Sequence, residues 1–298
     1  MANVFKDGSL AVKYASALDE AFEEKSVTSH FEDPVMKEQF VGAKQVSIPD
    51  MDLSGLGNYD RANGFQDGVI TLDRKVYEIK NDRAKSFSLD RMDADETGVA
   101  EIAGKVMGAF VRTRVVPEVD AYVMSQLAAV AKEKNNLVGW NADKPFATFN
   151  SLLSGVQEAC GYDEEIICFV DTTAFGALKN SNEFNKNVIN SNFEGKINSV
   201  VKTVDNVSII PVPGKRMKDL VALLDTEAGG FSTDGGKDIR MIMLPKRGAH
   251  LVKKTEKVRV FTPDENQKMD AYKFDYRIYY DIFVRKSEVD SIWASIVQ

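Results

Sequence analysis

Apolar residues first recur at helical spacing near the start of the chain, at Leu10, Val12, Tyr14, Ala17, Leu18 and Phe22. This predicts a mostly helical, amphipathic arm over residues 9–40, interrupted at Pro34. From Lys44 the period changes. Val46 and Ile48 alternate with polar neighbours, and a turn-rich stretch from Pro49 to Asp60 continues through Gly64 and Gly68. Strand signals resume at residues 69–72, 75–79 and 86–89. The pattern predicts a long two-stranded excursion with a mobile tip. Such a ribbon has no core of its own, is marginal alone and must lie on another surface.

Residues 95–134 carry the strongest helical signal. Val99, Ile102, Ala103, Val106, Met107, Phe110 and Val111 form one apolar stripe, and Val119, Tyr122, Val123, Leu127 and Val130 a second. Pro117 lies between them, where a helix ends or starts again. Asp93, Asp95 and Glu96 precede the first stripe, where negative charge suits a helix start. Helix and strand signals then alternate. Phe149, Leu152, Leu153 and Val156 mark a short helix, and the continuous apolar run 166–170 a buried strand. Asp171-Thr172-Thr173 are suited to capping a helix through Phe175 and Leu178. Further strands are predicted at 207–213, closed by prolines, and at 239–244, followed by a loop through Gly248.

The end of the chain predicts one long strand. Tyr272, Phe274, Tyr276, Ile278, Tyr280, Ile282 and Val284 share a face, with Lys273, Asp275, Arg277, Asp281 and Arg285 mostly opposite. Tyr279 and Phe283 break that alternation. Val258–Phe261 is the natural hairpin partner, across a polar turn around Asp264-Glu265-Asn266.

The 298 residues, 44% hydrophobic and 28% charged, describe an ordinary globular chain of one large or two modest domains. A formal net charge of −7, without a Lys/Arg block, argues against a protein that grips nucleic acid through phosphates, and no sequence-specific nucleic-acid binding is expected. The two cysteines, Cys160 and Cys168, are too few to staple this length and read as reduced, semi-buried thiols. The first residues lack the basic and apolar regions of a signal peptide, and no run reaches the length of a membrane span.

Candidate chemistry is sparse. The two histidines, His30 and His250, fall in different predicted segments, and His250 beside Lys253 and Lys254 reads as a solvated loop residue. A Ser-His-Asp or Cys-His site and a zinc cluster both need more than this. Asp93-x-Asp95-x-Thr97-Gly98 begins like a calcium loop, but its twelfth position is Gly104 rather than Glu, so helix capping is the better reading. Gly229–Asp238 and Pro213–Arg216 lack the spacing of a phosphate loop and read as flexible loops. The aromatic row Tyr272–Tyr280 suits a sheet face packed on a long helix better than base stacking. No catalytic, cofactor-binding or metal residue is assigned, and no enzyme activity is expected.

The order of these elements resembles the tailed-phage capsid fold named after bacteriophage Hong Kong 97, which encapsulins share. The resemblance rests on Phe169–Lys179, a strand ending in a polar turn before a helix, on the proline-ended Ile209–Pro213, and on the terminal hairpin. It implies an α+β fold: an N-terminal arm (1–43), an extended β excursion called the E-loop (44–92), a peripheral domain with a spine helix (93–144 and 246–298) and an axial domain (145–245). The spine would include Val116–Tyr122.

The function so implied is structural. A major capsid subunit would self-assemble into hexamers and pentamers of an icosahedral head around double-stranded DNA, in the virion and, during assembly, in the host cytoplasm. Implied partners are further copies of the chain, a separate scaffolding protein, a portal and a decoration protein, with no membrane. The 298 residues leave no room for the cleaved scaffold-like segment of some relatives, which implies a chain already processed or one that uses a separate scaffold, and Met1 favours the separate scaffold; no Lys–Asn crosslink is placed. An encapsulin shell protein is the alternative, and an α/β enzyme with insertions a more distant one. Within the E-loop tip, residues 53–67, Tyr59 and Phe65 are the large anchors, with no partner predicted in their own subunit and an expected inter-subunit contact.

Overall fold

The computed structural model describes residues 26–32, 40–41, 44–59, 61, 65, 67–91, 106–181, 189–190, 202–204 and 207–297. The arm before its root at 26–32, and the acids Asp93, Asp95 and Glu96, lie outside the described residues.

Strand β1 (Phe40–Val41) pairs with β2 (Gln45–Leu53), and β2 with β3 (Ile70–Glu78), both antiparallel. Strand β4 (Asn81–Asp90) follows, and later the long helix α1 (Val116–Glu133). Next come β5 (Leu137–Gly139), α2 (Pro145–Cys160), β6 (Ile166–Asp171) and α3 (Thr172–Asn180). Short strands β7 (Ile189–Asn190) and β8 (Lys202–Val204) precede β9 (Val207–Val212), β10 (Ala222–Leu223) and β11 (Phe231–Ser232). The described chain closes with β12 (Ile239–Pro245), β13 (His250–Phe261), β14 (Ala271–Phe283) and β15 (Trp293–Ile296).

A seven-stranded mixed sheet has the order β5-β15-β12-β6-β9-β8-β7. Its central strands are buried on both sides, which is why their sequences run apolar without alternation. On β6, Ile167 and Phe169 face the main core, while Ile166, Cys168 and Val170 face a second core under α2 and α3. On β12, Ile242 and Leu244 divide from Met241 and Met243 in the same way. Asp171 caps α3 as its residue type suggested, its Oδ1 accepting from the Ala174 amide at 2.5 Å. Helix α2 is longer than the short helix expected. Its Gly155 lies so close to Trp293 that a Cβ there would meet the indole at 2.4 Å.

A second sheet, β13-β14-β4, is antiparallel throughout. Phe274, Tyr276, Ile278, Tyr280 and Ile282 of β14 face the main core, where α1 lies between the two sheets with Val119, Val123 and Leu127 fully buried. The two residues that break the β14 alternation have a reason. Tyr279 and Phe283 point to the other side and join Val46, Ile79 and Val252 in a small third core at the ribbon's root.

Three features differ from the sequence reading. Residues 86–89, read as part of the excursion, belong to β4, which pairs with β14 and packs Phe87 and Leu89 against the main core. The ribbon is therefore β2 and β3 alone. Strands β5 and β15, read with the peripheral segments, lie in the seven-stranded sheet, because Ala294 and Ile296 bury on one of its faces and Trp293 packs on the other. The helix does not break at Pro117 either. Residues 106–110 are helical and Val111–Val115 form a π turn, in which the Val116 amide donates to the Val111 carbonyl. The wider turn accommodates a ring that would otherwise crowd a carbonyl one turn back, and Pro117 occupies a first-turn position of α1 where its missing N–H costs little.

Both cysteines are free thiols, Cys168 fully buried and Cys160 partly so. Burial pushes the Cys168 thiol well up, so it packs as a small apolar group. Replacing both with Ala or Ser is expected to leave the fold intact at a cost of about 1–3 kcal/mol for the buried site, read by denaturant unfolding. A chain that loses its structure in reductant would contradict this.

Candidate assembly interface

Three residues anchor the arm's root to α1. Ser26 Oγ and Thr28 Oγ1 donate to Asp120 Oδ1 at 2.9 and 2.7 Å, and the Val27 amide to Oδ2 at 3.4 Å. Arg216, from the 3-10 turn Gly214–Arg216, reaches the same Oδ2 at 2.9 Å. Asp120 is wholly buried. Burial pushes its carboxyl upward, opposed by Thr28, Arg216, Ser26 and the Val27 amide. Below this network Phe31 packs on Phe169 at 5.6 Å, and Glu32 meets Lys253 at 2.6 Å. Residues 26–32 are thereby fixed to the body, so a preceding arm leaves from a defined point on α1.

Pro213–Arg216 is accordingly no flexible loop, since its arginine completes a buried ion pair. Gly229–Asp238 is also structured. It follows a turn closed by the β10–β11 pair, with Gly229, Gly230 and Gly235 at positive φ. Arg83 of β4 donates to the Gly230 carbonyl at 3.2 Å, and Lys85 to that of Glu227. The segment is held to the second sheet by charge-assisted bonds.

The structure brings His30 and His250 to one recess with Glu164, Glu165, Lys246 and Arg247. His250 starts β13 and is buried, unlike the solvated loop residue expected. Burial, then Lys246, holds the His30 imidazole below its usual range. The flanking charges satisfy one another: Lys246 pairs with Glu165 and Arg247 with Glu164, both at 3.0 Å. Among the described residues no group of His, Cys, Asp and Glu is arranged to hold a metal, and no helix is long and apolar enough to cross a membrane.

The ribbon is the feature without internal support. Among the described side chains of the ribbon, those at its root, Val46, Tyr77 and Ile79, pack on the body, where Tyr77 and Phe283 lie 5.1 Å apart. Beyond that, Leu53 opposes Ile70 across the strands, and Leu72 and Val76 share the face of Ile70. All four are more than half exposed. At the tip, Tyr59 and Phe65 are 61% and 90% exposed. They do have a partner in their own chain, contrary to the sequence reading: each other, edge to face at 5.1 Å. Their separation along an aperiodic stretch gave no sign of that contact. Of the thirteen large hydrophobic residues that are exposed among the described residues, eight fall between Leu53 and Val76. The unburied apolar surface is thus concentrated on one projection.

No family model matches the sequence, and no curated protein matches it. Solved structures do resemble it. The capsid of Ralstonia phage GP4 is similar at 13% identity over 88% of this chain and 87% of that one, with a TM-score of 0.59. The mature capsid of bacteriophage PhiM1 is similar at 18% identity over 86% and 82%, with a TM-score of 0.57. The capsid of the cyanophage P-SCSP1u is similar at 15% identity over 87% and 85%, also with a TM-score of 0.57. The likeness establishes a shared fold over nearly the whole chain, the Hong Kong 97-like capsid fold.

Proposed function

We propose that this chain is the major capsid subunit of a tailed bacteriophage, a structural protein that assembles with copies of itself into the hexamers and pentamers of a closed head around double-stranded DNA. The observation that carries the reading is the ribbon. Its distal apolar face and aromatic tip are exposed in the single chain, and a concentrated apolar surface of that kind marks a site that another surface covers. Ribbon and body are different surfaces of one chain, so contact between them on successive copies is head-to-tail. Such contacts close into rings, leaving no edge free, when the rotation between successive copies closes. The shared capsid fold supports the same reading.

In this reading residues 1–43 are the arm, 44–92 contain the E-loop, 145–245 form the axial domain, and 93–144 with 246–298 the peripheral domain and spine. Strand pairing across those limits, β4 with β14 and β15 with β12, ties the parts together. The net charge of −7 suits a container that must not adhere to the DNA entering it. A separate scaffolding protein, a portal and a decoration protein are its further partners. The subunit resides in the virion, and in the host cytoplasm while heads assemble. No catalytic step is assigned to it. Co-expression of the chain with the scaffolding protein encoded beside it is expected to give particles tens of nanometres across by light scattering and negative-stain imaging. A strictly monomeric chain under all such conditions would sink the reading.

A further inference from the structure

Between α1, the second sheet and the 222–232 turn lies a cleft of about 350 Å³, a size suited to a small-molecule-sized group. Three rings form a row in it. Phe87 and Phe110 meet edge to face at 4.9 Å, and Phe110 and Tyr276 at 5.7 Å. Tyr280 also lines the cleft, is completely buried, and its hydroxyl makes no hydrogen bond among the described residues. Arg83, Lys85 and the exposed Arg114 make the surroundings cationic, with Glu118 bound to Arg83 at 2.8 Å. The cleft therefore favours an aromatic group carried next to negative charge.

One segment of this chain has that chemistry. The tip presents the exposed Tyr59–Phe65 pair, and its sequence places Asp60 and Asp67 beside those rings against the single Arg61. We propose that this cleft receives the Tyr59–Phe65 pair of a second copy of the chain. The entering rings extend the row of Phe87, Phe110 and Tyr276 edge to face, a geometry that aromatic groups favour. Asp67 of the tip meets Arg114 and Lys85 at the rim. The proposal rests on the shell reading, to which it adds the receiving site.

The test places a photoreactive benzophenone analogue of phenylalanine at position 65, which keeps the aromatic character, in particles assembled from isotopically heavy and light chains. Irradiation is expected to give mixed heavy–light adducts whose second peptide maps to residues 83–87, 110–119 or 227–230. Adducts confined to any other surface would overturn the proposal while leaving the shell reading standing. If the analogue prevents assembly, Ala228→Trp decides the matter. Ala228 is exposed on the cleft's edge, so the substitution obstructs the cleft without entering the core. Loss of particles with an unchanged monomer melt supports the proposal, and particles in normal yield overturn it. An unsubstituted chain that never forms particles would instead remove the shell reading itself.

Discussion

Replacing Leu53–Asp67 by a two-residue turn is expected to abolish closed particles while leaving the monomer's thermal melt nearly unchanged. Every side chain described in that segment is exposed, and its sequence is rich in glycine and asparagine, residues that cost entropy to order and add little core. The deletion removes the Tyr59–Phe65 pair, worth at most about 0.5–1.5 kcal/mol. It also removes the hydrogen bonds between Ser54 and Val69, which solvent can replace because both residues are exposed. The ladder from Gln45–Glu78 to Asp52–Thr71 and the third core at the ribbon's root remain. On the shell reading the same residues bury on a neighbour, where large aromatic anchors commonly cost about 2 kcal/mol or more each when truncated. A loss repeated between all neighbouring subunits is enough to stop closure. Calorimetry of the monomer and imaging of the co-expressed product check the two halves separately. Particles in normal yield would show that the ribbon is not an assembly element, and an unfolded monomer would show that the segment belongs to the core.

Asp120→Ala acts on the opposite side of the balance. Four donors converge on this fully buried carboxylate, one of them the largely buried guanidinium of Arg216. Removing the acceptor leaves a cation and two hydroxyls without it in a low-dielectric site, a change that typically costs about 3–5 kcal/mol. Denaturant unfolding of the monomer is expected to show that loss, and limited proteolysis is expected to cut at residues 26–32, which no longer hold to α1. Asp120→Asn keeps the shape and an acceptor oxygen, so its loss should be smaller. A loss for the alanine variant within the about 0.5 kcal/mol of an ordinary surface substitution would show that the network does not anchor the arm.

These two sites also mark what the sequence could and could not tell. The terminal strand was legible because its stripe is long, periodic and aromatic, and the buried strands at 166–171 and 239–245 because runs of that composition fit no exposed position. The capsid-like order of elements followed from these. The partner of β4 was not legible. Residues 86–89 signal a strand, but nothing local says that they pair with the terminal strand instead of with the neighbouring ribbon. Phe87 stands opposite Phe274, a residue from the far end of the chain. Asp120 was hidden for a related reason. A lone carboxylate between Val119 and Ala121 looks like a polar-face residue until the arm's hydroxyls and Arg216 are brought to it. At the candidate site, Tyr59 and Phe65 stood out as large apolar residues in a glycine-rich stretch. The aromatic cleft did not, because it is made by α1, β4, β14 and the 222–232 turn together. The π turn before Pro117 was invisible for the opposite reason: a proline signals a break, while the wider turn that absorbs it has no residue signature.

The strand order has a consequence for the order of events in synthesis. β14 is the middle strand of its sheet, and β15 lies between β5 and β12 in the other. Both come from the last part of the chain. Until they emerge, β4 has no partner, β5 has none, and the side of α1 that faces the second sheet stands without its covering. Pairings this distant in sequence form slowly and leave strand edges open meanwhile. Neither sheet, therefore, is complete until β14 and β15 have both been made. On the shell reading, rings would then be recruited from folded, diffusing chains and not from neighbours still being translated on one message, which makes the free concentration of folded subunits the quantity that times assembly.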